Sequence, residues 1–307
     1  WRWVFFINLP IGIIVLLLIP RAIKATARQT GSLDLAGGLT VTGGMMGLVY
    51  GLSRAGSHSF SDTQAIISLA LAAILLVTFV IVESRNPRAL MPLRIFANRN
   101  RSATYAIALA IGASVFSVFF FLTLFVQNIL GYSPLRAGFS FLPLTAGIVI
   151  MATVISRVVG KIGPRIPMAA GALVAAGGLF WSSHLSPGSG YVSAVLAPTL
   201  VLAFGLGAIF VPMSLLAVSG VKQSEAGLSS ALLNAGQQIG GSLGLAILVN
   251  VATTVTNNRL NNGASQIAAT TAGYSRAFLV AAGIALIASV IAFLAIRNPK
   301  PNTPVKT

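Results

Sequence analysis

The chain has 307 residues, of which 56% are hydrophobic and only 8% are charged, and its formal net charge is +16. Soluble domains carry about 25% charged residues, so this composition excludes a water-soluble fold and indicates an integral membrane protein. The absence of cysteine excludes disulfides and cysteine-ligated metals, and the basic residues lie in short gaps between apolar runs rather than on a surface suited to nucleic acid.

Nine apolar stretches are long enough to cross a bilayer, which takes about 20 residues in a helix. Segments rich in Pro and Gly separate or end several of them, because these residues interrupt helices: GYSPLRAG (131–138), LSPGSG (185–190) and NPKPNTP (298–304). The sequence therefore predicts an all-α polytopic membrane protein. The predicted spans lie near residues 3–20, 36–53, 64–83, 103–129, 138–158, 167–184, 192–216, 227–254 and 275–296.

Lys and Arg residues fall unequally on the two sets of connections between the spans. One set holds 15 of the 20, and the other set holds Arg2, Arg54, Arg136, Arg259 and Arg276. Basic residues favour the cytoplasmic side, so we predict a multi-pass protein of the cell (inner) membrane with a cytoplasmic carboxyl terminus. Nine spans then leave the amino terminus outside without a signal to carry it there, and we expect the sequence to be a fragment of a longer protein.

Four blocks of the chain resemble, in the same order, segments of the drug:proton antiporters of the major facilitator superfamily, in the branch with fourteen spans. The resemblance covers essentially the whole chain and implies that five spans are missing ahead of the first residue. The blocks are WRWVFFINLPIG (1–12), GSLDLAGGLTVTGGMMGLVYGL (31–52), LFVQNILGYSPLRAGFSFLPL (124–144) and AGLSSALLNAGQQIGGSLGLAIL (226–248).

The resemblance also implies a domain organisation, namely a major facilitator fold that lacks most of its amino-terminal bundle. Residues 1–25 would be the last helix of that bundle, 26–84 an inserted pair of transmembrane helices, and 85–102 a basic cytoplasmic linker. Residues 103–297 would form the carboxyl-terminal six-helix bundle, and 298–307 a cytoplasmic tail. The linker is either a topology determinant among anionic headgroups or a regulatory or lipid-binding site.

Amide and aromatic side chains inside spans four and eight are candidates for a substrate cavity. Asn234, Gln237 and Gln238 fall at positions i, i+3 and i+4 of one helix, and an unpaired amide in hydrocarbon is costly. These groups either bond to neighbouring helices or line a central cavity for a bulky amphipathic organic ligand. The cavity candidates are Phe116, Phe120, Phe121, Gln127, Asn128, Asn234, Gln237 and Gln238.

Two trios of glycines repeat at a four-residue spacing: Gly43, Gly47 and Gly51 in span two, and Gly236, Gly240 and Gly244 in span eight. This spacing is close to one helical turn, so each trio predicts a smooth face for close helix packing. The second trio could also let span eight slide against its neighbour during transport.

The segment SRVVGKIGPRIP (156–167) resembles a cytoplasmic loop motif of the family. Gly160 stands where the family commonly has an aspartate, so the gate is basic here and we expect carboxylates from elsewhere to balance it. The gate candidates are Asp34, Arg157, Lys161, Gly163, Arg165 and Glu225.

No Asp, Glu or His lies at the centre of a predicted span, and a proton-coupled carrier needs a titratable group there. Coupling therefore resides in the missing half, as the resemblance implies, or the protein is not proton-driven. We predict a non-enzymatic carrier without cofactor or metal that exports amphipathic drugs by alternating access, driven by a proton gradient, as in antibiotic resistance. A carrier of another solute, an importer and a membrane scaffold or sensor remain alternatives, and the oligomeric state is open.

Overall fold

The computed structural model describes residue 6 and residues 8–22, 34–57, 61–86, 91, 93–221 and 225–298. It divides into two units, one up to Asp34 and one from Leu35 onwards, which are described separately. The first unit contains the apolar helix α1 (Asn8–Ala22). The first residues of the first predicted span, part of the predicted linker and nearly all of the predicted tail lie outside the described residues.

The second unit is helical in its described part, which confirms the all-α prediction. A 3-10 turn (Leu93–Ala97) precedes α4, a π-helical turn (Phe125–Ile129) extends it, and a second π-helical turn (Val192–Leu196) leads into α8. The helices are α2 (Leu35–Ser57), α3 (Thr63–Arg85), α4 (Arg99–Leu124), α5 (Pro134–Ser140), α6 (Leu142–Ile162), α7 (Arg165–Ser182), α8 (Ala197–Val218), α9 (Ala226–Asn261) and α10 (Gln266–Ala295).

Seven helical segments of the described chain are long and apolar enough to cross a membrane. They correspond to seven of the nine predicted spans, while α1, with 15 residues, and α7, with 18, occupy the other two. The seven segments are Leu35–Ala55, Thr63–Arg85, Arg99–Ile129, Pro134–Ile162, Val192–Val218, Ala226–Asn261 and Gln266–Ala295.

Several helices start or end well outside the predicted spans, because hydropathy marks only the apolar centre of a helix. α10 begins at Gln266, where the Ser265 hydroxyl accepts a hydrogen bond from the Ala268 N–H. The GYSPLRAG segment was expected only to interrupt a helix, yet it also begins one. Ser133 caps α5 and Pro134 occupies its first turn, where a missing N–H costs nothing.

The core of the second unit lies among α4 and the helices from α6 to α10. α9 packs against α4, α10 and α2, while α2 also pairs with α3, and α7 packs against α8 and α10. Glycines allow the closest approaches: a Cβ on Gly178 of α7 would lie 2.8 Å from the Pro198 carbonyl oxygen. Small residues at helix contacts are the usual way in which membrane helices gain packing energy.

Candidate functional site

A groove lies between α2 and α9, with part of its wall supplied by α4. It consists of two cavities of about 560 and 220 Å³, which share Val49 and Ser242 and are therefore continuous. We call it the α2/α9 groove. Its lining residues are Met45, Met46, Val49, Ser53, Phe120, Gln238, Ile239, Ser242, Leu245, Ala246, Val249, Asn250 and Thr253.

The polar groups of the α2/α9 groove come mostly from one stripe of α9. Gln238, Ser242, Asn250 and Thr253 are separated by three, four or eight residues, so they follow the same face of the helix. The facing side chains of α2 are apolar apart from Ser53, and Met45 and Met46 among them are unbranched and adaptable. This lining can bind an amphipathic molecule, because it offers an apolar wall opposite a few amide and hydroxyl groups.

The structure brings some of the predicted cavity residues to this groove. Gln238 and Phe120 line it. Asn234 is exposed one turn earlier on α9, where its amide donates to the Ser230 carbonyl at 3.0 Å. Phe116 is 38% exposed and packs on α9 at Gly241, where a Cβ would lie 2.5 Å from its ring.

The prediction that Phe121 lines the cavity is wrong. It is only 1% exposed and lies in the core, with its ring centroid 5.7 Å from Tyr274 and 6.1 Å from Phe278. Consecutive residues of a helix point about 100° apart. With Phe121 turned into the core, Phe120 is the one of the two that lines the groove.

Three further predicted amides, like Asn234, do not line the groove. Gln127 and Asn128 lie in the π-helical turn after α4, where Gln127 is half-buried and Asn128 is exposed. Gln237 is half-buried, and its backbone lies against α4 at Gly112. The i, i+3, i+4 pattern thus separates in the fold, since Gln237 belongs to the helix contact and Gln238 to the groove.

The two glycine trios lie at two different helix contacts. Gly43, Gly47 and Gly51 face α3, and a Cβ on Gly47 would lie 3.3 Å from the Ser68 carbonyl oxygen. On α9, a Cβ on Gly240 would overlap the Leu109 carbonyl, one on Gly244 would overlap Ala113, and Gly236 has more room.

Gly112 of α4 also lies at the contact between α4 and α9, because a Cβ there would overlap the Gln237 carbonyl. We call this contact, with Gly112, Gly236, Gly240 and Gly244, the α4/α9 seam. Sequence reasoning missed Gly112. It has no glycine at four-residue spacing, and only the alanine four residues earlier hinted at a small-residue face.

The predicted gate motif ends α6 and begins α7. Arg157 and Lys161 are exposed, and Gly163 has a φ of +76°, a left-handed conformation that favours glycine at a helix end. The Arg165 guanidinium donates to the Phe293 carbonyl at 2.7 Å and stacks on the Phe293 ring at 4.5 Å.

The last backbone carbonyls of α10 accept the hydrogen bond of the motif's Arg165. Besides Arg165, Arg99 donates to the Leu294 and Ala295 carbonyls at 2.7 and 3.1 Å, and the Asn298 side chain accepts the Arg165 backbone N–H at 3.3 Å. The last carbonyls of a helix lack partners within the helix and favour cations. Positive charge in the motif is therefore stabilised by a helix end.

The predicted balance of the motif by carboxylates is wrong for Glu225. Its carboxylate pairs with Arg94 of the linker at 2.5 Å, not with the 156–167 motif. The pairing was mis-assigned because sequence gives the side of the membrane but not which basic residue lies nearest. Asp34 belongs to the other unit, so its role at the gate stays a prediction.

The segment predicted as a linker is held to the neighbouring helices by contacts that sequence reasoning missed. The buried Arg101 guanidinium donates to the Ile95 carbonyl at 3.2 Å and to the Ser219 carbonyl at 3.3 Å. Phe96 and Tyr105 meet edge to face at 5.6 Å. At the amino-terminal end of the same segment, the buried Glu83 carboxylate at the end of α3 accepts a hydrogen bond from the N–H of Met91 at 3.0 Å.

A family model described as Major Facilitator Superfamily matches residues 1–245 of the chain. The chain is 33% identical to the puromycin resistance protein pur8 of Streptomyces alboniger, over 96% of this chain and 60% of that protein. It is 34% identical to the cephamycin export protein CmcT of Amycolatopsis lactamdurans, with the same coverage. A tetracenomycin C resistance and export protein of Streptomyces glaucescens is 33% identical over 81% of this chain and 46% of its own length.

Proposed function

Because the chain belongs to the Major Facilitator Superfamily, we propose that it forms part of a membrane exporter of amphipathic organic compounds. Two of these relatives have export in their names, and two are named for resistance to an antibiotic. The chain spans about 60% of the length of the first two, so the activity of a whole transporter is an expectation here. The observation in favour of this function is the amphipathic lining of the α2/α9 groove.

The chemistry of the groove suits a substrate with a large apolar body and few polar groups. Val49, Phe120 and Val249 supply apolar surface, and Ser242 and Asn250 supply hydrogen-bonding groups. A sugar would require more donors and acceptors than this wall provides. Burial of the apolar body would favour binding by about 25 cal/mol per Å², while the amide and hydroxyl groups fix its orientation.

The α4/α9 seam supports movement of this wall during alternating access. Backbone meets backbone there at Gly112 and Gly240, and Gly244 meets only the small Ala113 side chain and its backbone. Packed helices with such smooth contacts can shift past each other by small amounts. A shift of α9 along α4 would change the width of the groove and thereby its affinity for a substrate.

A proton gradient is the energy source that we propose, with no cofactor and no enzymatic step. Within the described helices the one carboxylate inside a membrane-spanning segment is Glu83, which lies at the end of α3 rather than at its centre. No proton-carrying side chain is therefore assigned in this part of the chain. The unequal distribution of Lys and Arg supports a cytoplasmic carboxyl terminus in the inner membrane.

Binding of a fluorescent lipophilic cation to the chain in nanodiscs tests this function. We expect saturable binding that weakens at least several-fold in Ser242→Phe and Asn250→Leu, because one fills the groove and the other removes an amide. Gln127→Leu, an amide outside the groove, is the control and should bind like the unaltered chain. In proteoliposomes a transporter containing this chain should move the dye only when a pH gradient is imposed. Unsaturable dye uptake that none of the variants changes would contradict the proposal.

A further inference from the structure

We propose that the end of the six-helix bundle opposite the linker carries a binding site for a phosphate group, formed by Arg259 of α9 and Arg276 of α10. This site lies beyond the α2/α9 groove and does not depend on the proposed export function. Both arginines are exposed and line one cavity of about 550 Å³. A smaller cavity of about 240 Å³ shares Arg259 with it.

The walls of the larger cavity are amphipathic. Ser183 and Ser275 line the same cavity as the two arginines. The Ser275 hydroxyl donates to the Leu185 carbonyl at 3.2 Å, which fixes one side of the wall. The remaining lining is apolar: Leu185, Val255, Ala272 and Leu279.

The two arginines differ from the other described arginines on the same set of connections. Arg54 pairs with Asp62 at 2.9 Å, and Arg136 stacks on Tyr132 at 3.8 Å. In the described part of the chain, Arg259 and Arg276 have neither a carboxylate partner nor a side-chain hydrogen bond.

The chain itself offers little negative charge to balance this pair. It has only four carboxylates. In the second unit Asp62 pairs with Arg54, Glu225 with Arg94, and Glu83 accepts a backbone N–H beside the linker. Two like charges in one cavity repel each other, so an anion from outside the chain would stabilise them both.

A phosphate group fits this site better than a smaller anion. Guanidinium groups bind phosphate oxygens in a two-pronged geometry, so the two arginines supply the donors, whereas the Ser183 and Ser275 hydroxyls already donate to the Phe180 and Leu185 carbonyls. The adjacent apolar wall is suited to hydrocarbon. Phosphate with these neighbours is found on the headgroup of an anionic phospholipid or on a free phosphate ester, and the two sources can be separated by experiment.

Native mass spectrometry of the purified chain tests the site with phosphatidylglycerol, diacylglycerol and glycerol 3-phosphate. We expect phosphatidylglycerol to bind and diacylglycerol to bind weakly. The double variant Arg259→Gln/Arg276→Gln should lower the phosphatidylglycerol affinity about tenfold or more, since two charge-assisted hydrogen-bonding groups are lost. Each single variant should lie in between, and Arg259→Lys/Arg276→Lys should lose less because it keeps the charge.

Arg136→Gln is the matched control, because Arg136 belongs to the same set of connections but stacks on Tyr132 outside this cavity. It should bind phosphatidylglycerol like the unaltered chain. Glycerol 3-phosphate that fails to compete identifies the lipid as the ligand, whereas full competition identifies a free phosphate ester. The site is overturned if the double glutamine variant, with an unchanged melting temperature and dye affinity, binds phosphatidylglycerol as well as the unaltered chain does. It is also overturned if Arg136→Gln weakens binding equally.

Discussion

The Arg94 guanidinium and the Glu225 carboxylate form an ion pair at 2.5 Å between the linker and the residue directly before α9. The side chain of Arg94 is 63% exposed, so water and salt screen the pair and it contributes little free energy. Arg101 makes the stronger contact in the same region, because its buried guanidinium bonds two carbonyls of different elements. The linker is therefore fixed mainly by the buried Arg101 and only secondarily by the exposed Arg94–Glu225 ion pair.

Replacing Arg101 with Ala should lower the free energy of unfolding by about 2–3 kcal/mol, since the Ile95 and Ser219 carbonyls lose their charged donor. Arg94→Ala should cost at most about 1 kcal/mol. Unfolding of the purified chain by increasing SDS in mixed micelles measures both values. Equal losses for the two variants would show that the exposed pair matters as much as the buried cation.

The α4/α9 seam should be intolerant of even one methyl group. Gly240→Ala places a Cβ onto the Leu109 carbonyl, and we expect a loss of about 2–4 kcal/mol in the free energy of unfolding because backbone cannot move aside easily. Gly283→Ala in α10 is the control, with nothing within 4 Å of the new Cβ. That variant should gain up to about 1 kcal/mol from better helix propensity.

Circular dichroism melting curves in detergent rank the two alanine variants. If the Gly240→Ala chain has the same melting temperature as the Gly283→Ala chain, α4 and α9 are farther apart than the structure places them. The comparison is sharp because the two substitutions are chemically identical and both lie inside long apolar helices.

Arg165 should protect the end of α10 from local unfolding. Arg165→Gln removes the bond to the Phe293 carbonyl and the stacking on its ring, a loss of about 1–2 kcal/mol. Hydrogen–deuterium exchange of the last turn of α10 should then rise about five- to thirtyfold. Arg157→Gln, at an exposed position of the same motif, should leave that exchange unchanged; a rise in both variants would assign the effect to general loss of positive charge.

The positions of the membrane spans could be predicted because apolar length depends only on local composition. Helix ends were less predictable, since caps such as Ser265 and polar helix extensions carry no hydropathy signal. The partner of Arg165 was missed for a different reason. It is a backbone carbonyl, and every residue has one, so no sequence pattern distinguishes the carbonyl of Phe293 from any other.

The candidate groove was predicted in part, and the limit was rotation about the helix axis. Residue type placed Phe120, Phe121, Gln237 and Gln238 within the correct spans, but only the tertiary contacts decide which of two adjacent side chains faces the groove. Phe121 turns into the core and Phe120 into the groove. The same separation of neighbours holds for the two glutamines of α9.

Gln238 and Gln237 therefore give the most selective test of the groove. Gln238→Leu removes an amide from the groove lining, and we expect the affinity for a lipophilic cationic dye to change several-fold, about the effect of one hydrogen bond. Gln237→Leu alters the adjacent amide outside the groove and should leave the dye affinity within about twofold. Equilibrium dye titration in nanodiscs measures both.

The two substitutions are identical in chemistry and lie one residue apart, so differences in expression or helix propensity largely cancel between them. If substrate contacts the face of α9 that carries Gln238, Ser242 and Asn250, the two affinities must diverge, because about 100° of helix rotation separates adjacent side chains. Equal dye affinities in the two variants would place the substrate on another surface. A larger effect of Gln237→Leu would place it on the face of α9 that carries Gln237 instead.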